Sequence, residues 1–161
     1  MVSFPPNPTE KLDLELDLAR QLSELLKDEQ EQLIKANIDA LGSLLGKKSA
    51  LIARIRELGK ARLNALAQAE FTANEAGMQK WFDSPFAQSL NKHTIKKTWN
   101  ELHTMLRSTK ELNRTNGLLI GSHMSRTQAA LQVLQNNHEA QVYGKTGHTS
   151  VQTSKRSLVI G

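Results

Sequence analysis

The sequence predicts an all-α protein: an elongated antiparallel helical bundle or coiled coil of about three long helices, with disordered N- and C-terminal ends. Three observations carry this reading. Leucines and other apolar residues recur at spacings of three and four over most of the chain, the period of a helix with one buried face. The 161 residues include only four Phe, two Trp and one Tyr, too few β-formers with too few spaced turns for a sandwich or barrel. Of the four prolines, three stand at Pro5, Pro6 and Pro8, so almost nothing interrupts helix afterwards.

The first helix is expected to open near Thr9, whose hydroxyl can cap it, with Glu10, Asp13 and Glu15 where the helix dipole favours acids. Leu18, Leu22 and Leu25 mark its apolar face, and Glu24, Asp28, Glu29 and Glu31 its solvated one. It runs to about residue 36. Asn37 can cap a second helix over 37–70, with Asp39 behind it and a stripe of Ile38, Leu41, Leu45, Ile52 and Ile55. A tight helical hairpin is the reading here; one continuous helix is the alternative, because nothing between 34 and 41 forbids it. From 71 to 88 the period is lost, and Gly77, the Asp-Ser-Pro run at 83–85, and Trp81, Phe82 and Phe86 read as a connection with a hydrophobic plug capping the bundle end.

The third helix is expected over 89–142. Its seam alternates fours and threes through Ile95, Trp99, Leu102, Leu106, Thr109, Asn113, Asn116, Ile120, His123, Thr127, Ala130 and Leu134, long enough to argue a coiled-coil-like element. Residues 1–144 then form a single helical domain, and residues 145–161, with no acids and many Ser and Thr, a disordered basic tail.

Charge is uneven. Residues 1–40 hold nine acids against four bases, and residues 41–161 seventeen bases against seven acids, within a net charge of +5. Antiparallel neighbours with complementary flanks account for this better than nucleic-acid binding, because no aromatics interleave the Lys and Arg residues to stack bases. A basic bundle binding nucleic acid or another anionic partner through Lys47, Lys48, Arg54, Arg56, Lys92, Lys96 and Lys97 stays open as an alternative, as does a structural coiled-coil scaffold. With no cysteine there is neither a disulfide framework nor a thiolate metal site. No secretory signal and no apolar run long enough for a membrane span is visible, so a soluble cytoplasmic protein is expected. His93, His103, His123, His138 and His148 are too dispersed for a zinc motif, and no phosphate loop, dinucleotide loop or nucleophile elbow occurs. No enzyme, cofactor or metal is implied.

The segment NRTNGLLIG, residues 113–121, breaks the Leu-rich pattern. An Asn-Gly turn between strands would need period-two alternation around it, whereas both flanks keep the helical period in the same phase. A mid-helix Gly costs about 1 kcal/mol relative to Ala, and an Asn in a seam also costs stability. Three uses justify them: fixing register, allowing close backbone approach, or leaving packing open for a guest helix. Satisfied register devices in an ordinary bundle are the plainer explanation.

Asn113, Asn116, Gly117, Leu119, Ile120, Ala130, Leu131 and Leu134, followed by Tyr143 and Gly144, resemble the C-terminal signature of the FlgN family of flagellar export chaperones. The acidic first helix, short break and Leu-rich basic second helix resemble that family's layout over residues 10–144. The resemblance implies a cytoplasmic helical protein that binds the C-terminal helical segments of the first and third hook-associated proteins, the hook-filament junction subunits. It would keep them from assembling early and deliver them to the flagellar type III export gate. It places cargo binding on Asn113, Asn116, Gly117, Leu119, Ile120, Leu131 and Leu134, and export-gate docking on Tyr143. Such chaperones are commonly acidic, whereas this chain has a pI of about 9.6. Monomer and homodimer are both compatible with the pattern, since a second copy could hide the same groove.

Overall fold

The computed structural model describes residues 6–88 and 91–146, with side chains to residue 140. Among these the chain forms helices α1 (Leu12–Ile34), α2 (Ile38–Gln68), α3 (Glu75–Asp83), α4 (Pro85–Gln88) and α5 (Lys92–Thr146), and no strand. The all-α class read from the periodicity is the class observed. Residues 1–5 and 147–161 lie outside the described residues; of the tail expected to be disordered over 145–161, Lys145 and Thr146 are helical, because α5 continues past the expected end at 142. Packing divides the chain into two compact units, residues 1–119 and 120–161.

In unit 1 the chain does not enter α1 at Thr9. The Asn7 side chain accepts from the Thr9 backbone N–H at 2.9 Å, an Asx turn that holds residues 7–9 outside the helix. The helix begins three residues later, at Leu12. Its end is a Schellman motif: the Asn37 N–H donates to the Gln32 carbonyl and the Ala36 N–H to the Leu33 carbonyl, with Ala36 left-handed at φ 53°. Asn37 then caps α2 by accepting from the Ala40 N–H at 3.3 Å, so one residue closes the first helix and opens the second. The hairpin, not the continuous helix, is formed. α2 ends by the same device, with Glu70 at φ 64° and the Phe71 N–H on the Leu66 carbonyl.

Two buried ion pairs set the direction of the hairpin. Glu15, 2% exposed, receives Arg62 Nε at 3.1 Å, and Glu29, 5% exposed, receives Lys48 Nζ at 3.0 Å. Early α1 meets late α2 and late α1 meets early α2, so the two helices are antiparallel. α5 runs parallel to α1, with Thr98 near Asp13, Glu101 on Arg20 at 2.9 Å and Asn116 beside Leu26 and Glu29. The complementary flanks seen in the charge pattern are therefore realised, but as buried pairs. Glu29, read from sequence as solvated, lies two heptads beyond Glu15 on the face that carries Leu22, Leu26 and Leu33 into the core.

The stripes also differ in phase from the sequence reading. On α1 the buried apolar residues are Leu12, Leu16, Ala19, Leu22, Leu26 and Leu33, with Leu18 and Leu25 only half-buried at its border. On α2 they are Leu44, Leu58 and Leu66, while Ile38 and Leu45 are exposed. Leu-rich helices carry apolar residues on more than one face, and only the neighbour decides which face is covered.

Between α2 and α5 the unpatterned stretch is helical. Asn74 caps α3 by accepting from the Gly77 N–H at 2.8 Å, and a Cβ at Gly77 would overlap the Thr72 carbonyl, so glycine is required for this tight entry. α3 turns Met78, Trp81 and Phe82 into one cluster with Leu12, Leu16, Leu66, Trp99 and Leu102. Trp81 and Phe82 meet edge to face, 5.5 Å between ring centroids, and Arg62 lies 4.8 Å above the Trp99 ring. The expected plug exists with two of its three rings; Phe86 is exposed.

Candidate functional site

The polar interruption sits on α5, and helix continues through it without a break. Within unit 1 the buried side of α5 passes through Trp99, Leu102, Thr109 and Asn116. Thr109 returns its hydroxyl to the Met105 carbonyl at 2.6 Å, satisfying a polar group on an otherwise apolar face. Asn116 is fully buried. Its Nδ2 donates to the Leu26 carbonyl at 2.9 Å and to Glu29 Oε2 at 2.8 Å. Glu29 in turn holds Lys48, so one polar cluster ties α5 to both arms of the hairpin. Asn116 Oδ1 has no hydrogen-bond partner among the described residues. A buried donor pair of this kind strongly disfavours sliding, because a shift of one residue would strand both carboxylate and amide in the core.

The other signature residues of unit 1 face elsewhere. Asn113 is exposed, Leu119 half-buried, and a Cβ on Gly117 would meet nothing within 4 Å. No backbone approaches Gly117 closely among the described residues. Leu118, which the seam omitted, is exposed.

In unit 2 nearly every side chain from Ile120 to Ala140 is exposed; His123 is the half-buried exception. Ile120, Met124, Leu131 and Leu134 fall at spacings of four, seven and three along one helical face. Met124 is 68% exposed, Leu131 54% and Leu134 64%, with Val133 exposed beside them. Met124 and Val133 escaped the sequence reading, which followed the alternative phase through His123 and Ala130. The signal that could have found Met124 is its position four after Ile120 and seven before Leu131. Tyr143 lies near the end of α5, at Thr146, and its side chain is outside the described residues.

A single helix with a row of large apolar side chains in water is marginal, and the surface it offers suits another helix with a matching stripe. Flexible Met and branched Leu and Ile give such a face area and adaptability. No group of three or more His, Cys, Asp or Glu among the described residues could hold a metal ion, and no described helix is long and apolar enough to cross a membrane.

The fold and the sequence have counterparts. A crystal structure from Pseudomonas aeruginosa assigned to flagella synthesis protein FlgN superposes with a TM-score of 0.63, at 22% identity, covering 81% of this chain and 99% of that one. At that identity the likeness concerns the fold. Two relatives named flagella synthesis protein FlgN are similar along nearly their whole length. The one from Proteus mirabilis is 26% identical over 153 residues, 93% of this chain and 91% of the relative. The one from Salmonella typhimurium is 28% identical over 145 residues, 89% of this chain and 90% of the relative. The FlgN protein family model matches residues 5–150, which takes in the five described helices, the buried Asn116 and the exposed stripe of α5; this chain belongs to the FlgN family.

Proposed function

We propose that this protein acts in flagella synthesis as a bacterial cytoplasmic export chaperone. It captures the C-terminal helical segments of the first and third hook-associated proteins, keeps them from assembling early, and delivers them to the type III export gate. The observation that carries the reading is the exposed apolar stripe of Ile120, Met124, Leu131 and Leu134 on a helix whose described residues in unit 2 bury almost nothing. An amphipathic cargo helix laid along it would cover at once the apolar surface of both partners. Binding of this kind needs no bond chemistry, cofactor or metal, in keeping with a family of flagella synthesis proteins rather than enzymes.

The residues divide the work. Ile120, Leu131 and Leu134 supply area, with Met124 added to the set. Asn113, Gly117 and Leu119 complete the contacts that the resemblance implies. Asn116, whose side chain is engaged by Leu26 and Glu29, contributes by holding α5 in register. Tyr143 is assigned to export-gate docking.

Co-purification with a hook-associated protein tests the proposal. Leu131→Asp or Leu134→Asp should abolish capture while circular dichroism stays unchanged, because both side chains are more than half exposed. Full capture by both variants would remove the stripe from the mechanism. Tyr143→Ala should leave capture intact and reduce secretion of the cargo.

A further inference from the structure

A second surface lies in unit 1, on residues the cargo reading does not use. α1 and α5 run parallel there and leave a groove of about 800 Å³ between them. Leu16 and Met105 form its apolar floor; Arg20, Lys27, Lys96 and Lys97 stand along its walls. Glu101 is the acid among the lining residues, and it is engaged by Arg20 at 2.9 Å. Lys96 and Lys97 have no ion-pair partner among the described residues.

We propose that this groove docks an acidic amphipathic helix of a partner protein, lying as the fourth helix of the bundle. The lining spans residues 16–27 of α1 and 93–108 of α5, about 16 to 22 Å at 1.5 Å per residue, which accommodates roughly three to four helical turns. A fourth helix beside two parallel ones is the ordinary way to complete such a layer. The walls decide the sign: Arg20 is held by Glu101 and Lys27 by Glu24 at 2.8 Å, so carboxylates flanking an apolar stripe would meet Lys96 and Lys97 while the stripe covers Leu16 and Met105. Single-stranded nucleic acid fits less well, because no Phe, Tyr or Trp is among the residues lining the groove and His93 is the one ring there that could stack a base.

The probe is a helix-stapled, fluorescein-labelled peptide of about 16 residues with leucine at its a and d positions and glutamate beside them, whose like charges also keep it from pairing with itself. Anisotropy with the full-length chain should show binding that weakens with added salt. The Lys96→Glu, Lys97→Glu double variant should bind it at least about tenfold more weakly, since two attractive contacts become repulsive. Ser108→Trp, at an exposed groove position, should block it with the charges intact. A peptide with lysine in place of glutamate should not bind.

Equal affinity of the double variant and the unaltered chain would overturn the proposal. So would tighter binding of a single-stranded oligonucleotide than of the peptide, which would make the groove a polyanion site. Dissociation of a homodimer by the double variant would assign the groove to a second copy instead. Loss of peptide binding in Leu131→Asp would move the peptide to the α5 stripe. Retained cargo capture by the double variant separates this proposal from the chaperone reading.

Discussion

The two halves of α5 carry similar patterns and different exposures. From Ile95 to Asn116 the seam positions three and four apart, Asn113 excepted, are buried or half-buried against α1, α2 and α3. From Ile120 to Leu134 the same spacing carries Ile, Met and Leu, and those side chains are exposed. Amphipathicity states that a face needs cover; it does not state whether the cover belongs to the same chain. The first half buries its apolar surface within the chain, and the second leaves it exposed.

The largest effect should come from Phe82→Ala, which removes a fully buried ring from the cluster under the first half of α5 and should cost about 3–5 kcal/mol in urea unfolding. If Leu134→Ala in the second half cost as much, the contrast between the halves would be broken.

Asn116→Ala should come next, at about 1–3 kcal/mol, because Glu29 loses one of its two buried partners. Unchanged stability would mean that the unpartnered Oδ1 offsets what Nδ2 contributes. Gly117→Ala, one residue on, should have the opposite sign and raise stability by about 1 kcal/mol, since the helix is continuous and the new methyl meets nothing. A loss there would reveal a crowded neighbour at Gly117.

Ala36→Gly should stabilise by about 0.5–1 kcal/mol, because Ala36 is left-handed at φ 53° where glycine carries no steric penalty. Smallest of all, Leu134→Ala should stay within about 0.5 kcal/mol of the unaltered chain. Its effect belongs in the cargo assay.

Local signals in the sequence were legible where local physics decides. Asn37 has the chemistry to cap a helix, and it caps α2, while the left-handed Ala36 that ends α1 carried no signal of its own. The helical phase shared by both flanks of Asn116 and Gly117 excluded a strand turn, and α5 is continuous there. Less was legible where partners are distant. Glu15 and Glu29 look like ordinary acids of an acidic helix until Arg62 and Lys48, 47 and 19 residues away, arrive beside them. The stretch 71–88 seemed patternless because α3 is only nine residues long, too short to display a period, and its entry depends on Gly77 fitting against Thr72. On the second half of α5 the periodic seam took in Ile120 and Leu134, the family resemblance added Leu131, and both passed over Met124, because the phase drifts across two overlapping faces.

By itself, the sequence determined what depends on neighbours within a few residues: the helical class, the cap at Asn37, and the polar break at Asn116 and Gly117 as an interruption inside a helix. Propensity, capping and periodicity act over one or two turns, and those are written in order along the chain. Tertiary structure alone decided which apolar face is covered, which carboxylates enter the core, and that Asn116 turns inward to Leu26 and Glu29 while Leu131 and Leu134 stay in water. Burial is a property of pairs of surfaces, and a residue's partner can lie 90 positions away, as Leu26 does from Asn116.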